Sequence, residues 1–213
     1  MTARFARAED APALLSVYAQ YIDTPVTFET ESMYAQYIDT PVTFETELPS
    51  AAEFRARVEE ISSFYPYLVL EEEGKIVGYA YVHRQMERAA YGWNAELSVY
   101  LDGAHLSRGI GKKLYSALME ICALQGIKTV YAGITLPNPR SEGLHKSLGF
   151  HRLGVYRNTG FKNGAWHDVA WFEKQIAPYD VPPAPVRPVA EIGGSAEKVL
   201  QKYFGDARSD IQK

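Results

Sequence analysis

The sharpest chemistry in this sequence lies in one short turn, Ser107-Arg108-Gly109-Ile110-Gly111-Lys112, which follows an apolar strand and opens an amphipathic helix. Glycines let a backbone approach a ligand closely, and the first turn of a helix aims unpaired N–H groups at it. Arg108, Lys112 and Lys113 gather positive charge there, in a chain whose formal net charge is -4. An anion is what such a turn would hold, although short glycine turns also serve merely to reverse a chain. The turn lacks the third glycine of a dinucleotide fingerprint and the Gly-Lys-Ser/Thr ending of a P-loop. A pyrophosphate ligand other than NAD or ATP therefore fits it better.

Glu96 is the second candidate, because it begins the otherwise apolar strand Glu96 to Leu101. Partial burial there would raise its pKa toward neutrality, which suits a general base. A solvated glutamate at a strand end is the competing reading. His145 sits on a short helix, where a lone histidine is structural as often as it is catalytic. Cys122, the single cysteine, lies beside Ile121 on a helix face and reads as core packing; it has no partner in the chain for a disulfide.

These residues need elements to position them. Ala3 to Ala8 alternates like a strand, and Ala11 to Ile22 puts Leu14, Leu15, Tyr18 and Ile22 on one helical face. Pro49 to Ser62 forms a second helix, with Phe54, Val58 and Ile61 spaced for one face. Tyr67 to Glu72, a Glu73-Gly74 turn and Ile76 to His83 make a hairpin. Helix Gly109 to Leu124, strand Thr129 to Ile134, helix Ser141 to Leu148 and a final strand Val169 to Glu173 follow. Helices and strands interleave only in the second half, which predicts a mixed α/β sheet. Prolines between Pro178 and Pro188 predict an extended strap over 178–192, and 193–213 is expected to be helical or disordered.

With 213 residues, 46% of them hydrophobic, the chain can build one core. Its charge gives no general attraction to nucleic acid or to anionic membranes, so neither is expected as a partner. No apolar run approaches the ~20 residues of a membrane span, and Met1 to Arg7 lacks a secretory apolar region. A cytoplasmic location is expected. The segment from Tyr18 to Glu31 recurs unchanged from Tyr34 to Glu47. Two copies of 14 residues are too few and too short for a solenoid, so this is a tandem duplication within a domain. One copy is expected to be integral, the other to bulge or extend a helix.

The run of strand, Arg-Gly-x-Gly, amphipathic helix and strand, then Asn138-x-x-Ser141 and Leu144-His145-Lys146-Ser147-Leu148-Gly149-Phe150, resembles the GNAT acetyltransferase superfamily. Thr43 to Glu47, Tyr65 to Val69, Ala95 to Tyr100, Leu136 to Asn138 and Gly160 to Val169 resemble its phosphinothricin N-acetyltransferase group. The likeness spans about residues 3 to 192. It implies a GNAT fold over residues 1–177, with a mixed, mostly antiparallel central sheet flanked by helices, and a homodimer.

It also implies N-acetylation of a small amino-acid-like substrate by acetyl-CoA, with no metal. The pyrophosphate would lie on Leu106, Ser107, Arg108, Gly109, Ile110, Gly111 and Lys112. The pantetheine would follow Ser98, Val99, Tyr100 and Leu101, with Asn138 and Ser141 also contacting the cofactor. Leu106 departs from the family's usual glutamine or arginine. Glu96 falls on the family's base, Tyr100 could protonate the leaving thiolate, and His145 is placed at the active site. Arg88 and Tyr91 fall on the substrate side, where Arg88 could clamp a carboxylate, and Phe44 or its twin Phe28 would pack on the substrate. Met86 stands where family relatives carry lysine, which places methionine sulfone, methionine sulfoximine and other amino acids beside phosphinothricin as substrates. His167 and Asp168 match the pattern without a distinct role. Another amine (a peptide N-terminus or a polyamine) or a non-catalytic acyl-CoA sensor are the alternatives.

Overall fold

The computed structural model describes residues 1–22 and 43–205. Strands β1 (Thr2–Phe5), β2 (Tyr67–Glu72), β3 (Lys75–Arg84), β4 (Asn94–Leu101), β5 (Thr129–Thr135), β6 (His151–Lys162) and β7 (Ala165–Gln175) form one sheet. Their spatial order is β1-β2-β3-β4-β5-β7-β6. Every neighbouring pair is antiparallel except β4 and β5. The sheet is therefore mixed, mostly antiparallel and flanked by helices, as expected.

Alternation along the strands sorts the core onto the two faces. Ala95, Leu97 and Leu101 of β4 join a core with Leu114, Leu118 and Ile121 of α3 (Ile110–Gln125). Tyr67, Val69 and Tyr79 join the other core with Leu14, Tyr18, Phe54 and Val58 of α1 (Ala11–Ala19) and α2 (Ala51–Ser62). Tyr100 packs against that second core, so Glu96 and Ser98, which share its side of β4, face it too. The helix α2 starts two residues later than the apolar pattern predicts, because Ser50 and Glu53 form a capping box.

One departure from the sequence reading stands out. A whole strand, β6, precedes the final strand and pairs with it as a hairpin. Its side chains are mostly exposed on both faces, and its ladder slips at Arg152/Gly154 and Tyr156/Gly160, so no apolar alternation marks it. The C-terminal segment forms a packed helix, α5 (Gly193–Phe204), whose Ala196, Val199 and Leu200 are buried in the core shared with α3. The proline-rich stretch before it is tied down by Trp93 Nε1–H to the Ala184 carbonyl (2.8 Å) and by Gln125 to the Arg187 carbonyl (2.9 Å).

The described residues of the duplication come from both copies. Tyr18, Gln20, Tyr21 and Ile22 of the first copy and Thr43, Phe44 and Glu45 of the second occupy the fold. The hydroxyls of Tyr18 and Thr43 lie 2.9 Å apart, one from each copy. Phe28 and the rest of residues 23–42 lie outside the described residues. Excising residues 23–38 leaves a single unit and retains every one of these side chains. The shortened protein is expected to melt no lower than the full chain; a fall of more than about 4 °C, roughly 1 kcal/mol for a chain this size, would contradict this use of the two copies.

Candidate active site

The sheet comes apart at one place. The parallel ladder of β4 and β5 holds only Asn94–Thr129, Ala95–Val130 and Glu96–Tyr131. Beyond Glu96 the backbone edge of β4 turned toward β5 has no strand partner. Side chains satisfy part of it. The Tyr115 hydroxyl donates to the Leu97 carbonyl (3.4 Å), and the Tyr21 hydroxyl donates to the Leu101 carbonyl (2.6 Å) while accepting its N–H (3.1 Å). Val99 lies between them, and its peptide groups point the same way by strand alternation. An extended amide-bearing ligand can pair there as an added strand would.

The turn after β4 carries the anion-binding geometry. Ser107 and Gly109 both have positive φ (61° and 76°), a backbone course that turns successive N–H groups into a concave nest. Gly109 is required for its backbone conformation rather than for space, since nothing lies within 4 Å of where its Cβ would be. The N-terminus of α3 follows, with no acidic residue in its first turn, and Arg108, Lys112 and Lys113 are exposed around it. Leu106 is half-buried against the α3 core. The chain before the turn is held by Gln20, which donates to Asp102 (3.0 Å) and accepts from Gly103 N–H (3.1 Å). His105 adds a second tie, with Nε2 2.8 Å from Glu72 and Nδ1 3.2 Å from Asp102. Nest, helix N-terminus and cations together fit a pyrophosphate.

Glu96 stands where the two strands part. Burial pushes its carboxyl above the ordinary value, while His83 and a hydrogen bond from the Gly133 N–H pull the other way. His83 is its register partner on β3. No local motif marks His83 in the sequence, although its position two residues after Tyr81 places it on the same face. Ser98 shares that face, and its hydroxyl hydrogen-bonds the Tyr81 phenol. Tyr100 stacks on Tyr79 (5.1 Å) and meets Tyr18 and Tyr21 edge-on (5.1 and 5.2 Å). Burial raises its phenol well above the ordinary value, so it stays neutral.

Phe44 comes over this face from the α1–α2 connection. Its ring packs against Gly160 of β6 so closely that any added Cβ would clash with it. The buried Lys162 ammonium donates to the Thr43 carbonyl (2.8 Å), and Glu45 pairs with Arg57. Gly160 and Lys162 therefore seat the loop that presents Phe44, a role that only the tertiary structure reveals. His167 lies across the ladder from Gly160, with its ring 6.4 Å from Phe44. Asp168 accepts from the Asn158 N–H (2.8 Å) and trims the hairpin bulge.

A cavity of about 290 Å³ opens beside Glu96, lined in part by Met86, Tyr91, Tyr131 and Trp171. Arg88 is exposed next to it, and its guanidinium makes no hydrogen bond or ion pair with the described residues. Asn138 caps α4 (Pro139–Ser147), its Oδ1 accepting the Ser141 N–H (3.1 Å), so the Asn138-x-x-Ser141 spacing has a helix-capping explanation of its own. The structure does not bring His145 to Glu96. The histidine is 2% exposed in the core on the α3 side, boxed by Tyr115, Phe150 and Phe172. Burial lowers its pKa, and Nδ1–H donates to the Ser141 carbonyl (2.7 Å).

Among the described residues no group of His, Cys, Asp and Glu could hold a metal ion, and no helix is long and apolar enough to cross a membrane. Lys162→Met removes a charge-assisted bond worth about 1.5–3 kcal/mol. That variant and Gly160→Ala are expected to raise KM for the amine acceptor about tenfold or more while leaving KM for the acyl donor unchanged. Equal changes in both constants would show that the Phe44 loop is not what these residues seat.

A family model for the acetyltransferase (GNAT) domain matches residues 4–171. The phosphinothricin N-acetyltransferase of Streptomyces viridochromogenes is 36% identical over 190 residues, 89% of this chain and 94% of that protein. The L-methionine sulfoximine/L-methionine sulfone acetyltransferase of Salmonella typhimurium is 35% identical over 120 residues, 56% of this chain and 70% of its own. Among solved structures, a GNAT superfamily phosphinothricin acetyltransferase from Sinorhizobium meliloti in complex with AcCoA superposes with a TM-score of 0.74. It is 32% identical, and the match covers 87% of this chain and 92% of that one. The match over most of the chain agrees with a sheet that parts at Glu96 above an anion-binding turn, and the chain belongs to the GNAT acetyltransferase family.

Proposed function

We propose that this protein transfers the acetyl group of acetyl-CoA directly to the amino group of a small amino-acid-like acceptor, with Glu96 as general base. The observation that carries the proposal is Glu96 itself, a carboxylate raised by burial where the β4–β5 ladder ends, paired in register with Tyr131 of the cavity wall. Phosphinothricin and methionine sulfoximine or sulfone, named for the relatives above, are the acceptors to try first. The diphosphate would rest on Ser107 to Lys112 and the pantetheine along Val99, with the Asn138 amide and Ser141 at the far side of the gap. Arg88 would meet the acceptor carboxylate, with Tyr91 and Phe44 against its body.

An amine attacks a thioester only when neutral. Glu96 takes the ammonium proton, directly or through one water, and the amine then attacks the carbonyl. As the carbon–sulfur bond breaks, the thiolate is protonated, and Tyr100 is the donor we assign. The single cysteine, Cys122, is fully buried and burial pushes its thiol up, so an acyl-cysteine detour has no nucleophile. His145, neutral and enclosed, acts by holding Tyr115, whose hydroxyl meets Leu97. A homodimer and a cytoplasmic location belong to the same reading. The β6–β7 hairpin would supply the dimer contact, since Phe161 and Trp166 are 57% and 62% exposed.

The test is release of free CoA, followed with a thiol reagent, on a panel of amino acids, amino-acid analogues, spermidine and a short peptide. Turnover confined to amino-acid-like acceptors supports the proposal; tight acetyl-CoA binding without turnover on any acceptor would point to a sensor. A base must be ionised, so kcat/KM is expected to rise with pH through a pKa above the usual carboxylate value of 4.5. Glu96→Gln should lower kcat about 100- to 10,000-fold and abolish that limb. Near-normal kcat in the variant would remove Glu96 from the base role.

A further inference from the structure

The cavity beside Glu96 is walled by Met86, Tyr91, Tyr131, Leu153, Tyr156 and Trp171. Its remaining lining is Gly154 and two uncharged amides, Gln85 and Asn94. No charged side chain of the described residues lines it. The aromatic walls are ordered against one another, with the Tyr156 and Trp171 rings 5.7 Å apart and inclined at 51°.

The cavity is coupled to Glu96 by the sheet register. Tyr131 is the residue paired with Glu96 across the parallel ladder. Trp171 pairs with Gly133 and lies 3.5 Å from where a Gly133 Cβ would be. The Gly133 N–H is the backbone group that works against the burial raising the Glu96 carboxyl. An amino acid whose ammonium meets Glu96 thus has this cavity as the space for its side chain.

Resting on the amino-acid reading above, we infer that the acceptor carries an uncharged, apolar or aromatic side chain and is preferred over acceptors with an anionic one. A phosphinate or carboxylate entering the cavity would shed its water and meet no cation on the walls. A thioether, branched alkyl or phenyl group would bury apolar surface and pack against rings. Aromatic walls can also attract a cation, so lysine is compared with the neutral acceptors below.

The experiment compares kcat/KM, from CoA release at saturating acetyl-CoA, for methionine, leucine, phenylalanine, phosphinothricin, glutamate and lysine, with spermidine and a short peptide as controls. It is run on the native protein and on Met86→Lys, a position 44% exposed and so tolerant of substitution. The neutral acceptors are expected to lead phosphinothricin and glutamate by about tenfold or more, and Met86→Lys to narrow or invert that ratio by placing a cation on the wall. Phosphinothricin, glutamate or lysine used as well as the neutral acceptors would overturn the inference and leave the amino-acid reading standing. So would a ratio that Met86→Lys leaves unchanged. Acetylation of spermidine or the peptide alone would instead sink the amino-acid reading, and this inference with it.

Discussion

The structure depends on keeping two parallel strands apart. A sheet gains by continuing its ladder, and backbone N–H and C=O groups left bare in a protein interior cost free energy. Here β4 and β5 share three residue pairs and then diverge. The divergence is held open by partners for the bare groups: Tyr115 takes the Leu97 carbonyl from the α3 side, and Tyr21 takes both groups of Leu101 from the α1 side. Val99 between them is left to a ligand. The same divergence sets Glu96 at the end of the paired region, where burial raises its carboxyl. The open strand edge and the raised carboxyl of Glu96 are two results of one interruption in the hydrogen-bond ladder.

What surrounds the interruption works on it from opposite faces. On the α3 side the packing is aliphatic and tight, with Leu114, Leu118 and Ile121 fully buried, and the helix delivers its N-terminus to the anion-binding turn. On the other side the packing is aromatic and hydroxyl-bearing: Tyr67, Tyr79, Tyr81 and Tyr100 stack in sequence across three strands. Phenols combine broad apolar contact with a polar tip. That lets this layer support the sheet and still place hydroxyls at Ser98, Thr43 and the strand edge. Burial raises the pKa of each of these phenols, so the layer stays neutral around the carboxylate of Glu96.

Much of this was legible in the sequence wherever one element carries its own period. The face Ile110, Leu114, Leu118 and Ile121 marks α3 because all four residues are buried on one side of a helix. Glu96 is visible because it interrupts an apolar strand, and the turn because its glycines and cations are contiguous. Legibility ends where residues distant in sequence must meet. Tyr21, Lys162 and His83 act through a strand edge, a loop carbonyl and a register partner that no local pattern encodes. The strand β6 was missed because neither of its faces is consistently buried, so alternation has nothing to record. His145 shows the opposite error: its surroundings in the sequence match an active-site pattern, while its ring is enclosed behind the sheet.

The duplication shows where the specification of this fold resides. An insertion of 16 residues inside a catalytic domain would be damaging if the first helix and the Phe44 loop were positioned by the chain that joins them. Each is instead positioned from outside. Tyr18 and Ile22 are buried in the core beneath α1, and Gln20 and Tyr21 bond to the end of β4 and the residues after it. Thr43 and Phe44 are held by Lys162 and Gly160 of β6. The two anchored ends meet at the Tyr18–Thr43 hydroxyl contact, which needs only one tyrosine and one threonine in those places and is indifferent to which copy supplies them. Because identical sequence was duplicated, the first copy can keep the helix end and the second the loop without any side chain changing identity. Among the described residues, the end of α1 is held on β4 and the residues after it, and the Phe44 loop is held on β6, so each side of the duplicated segment has a tertiary anchor of its own.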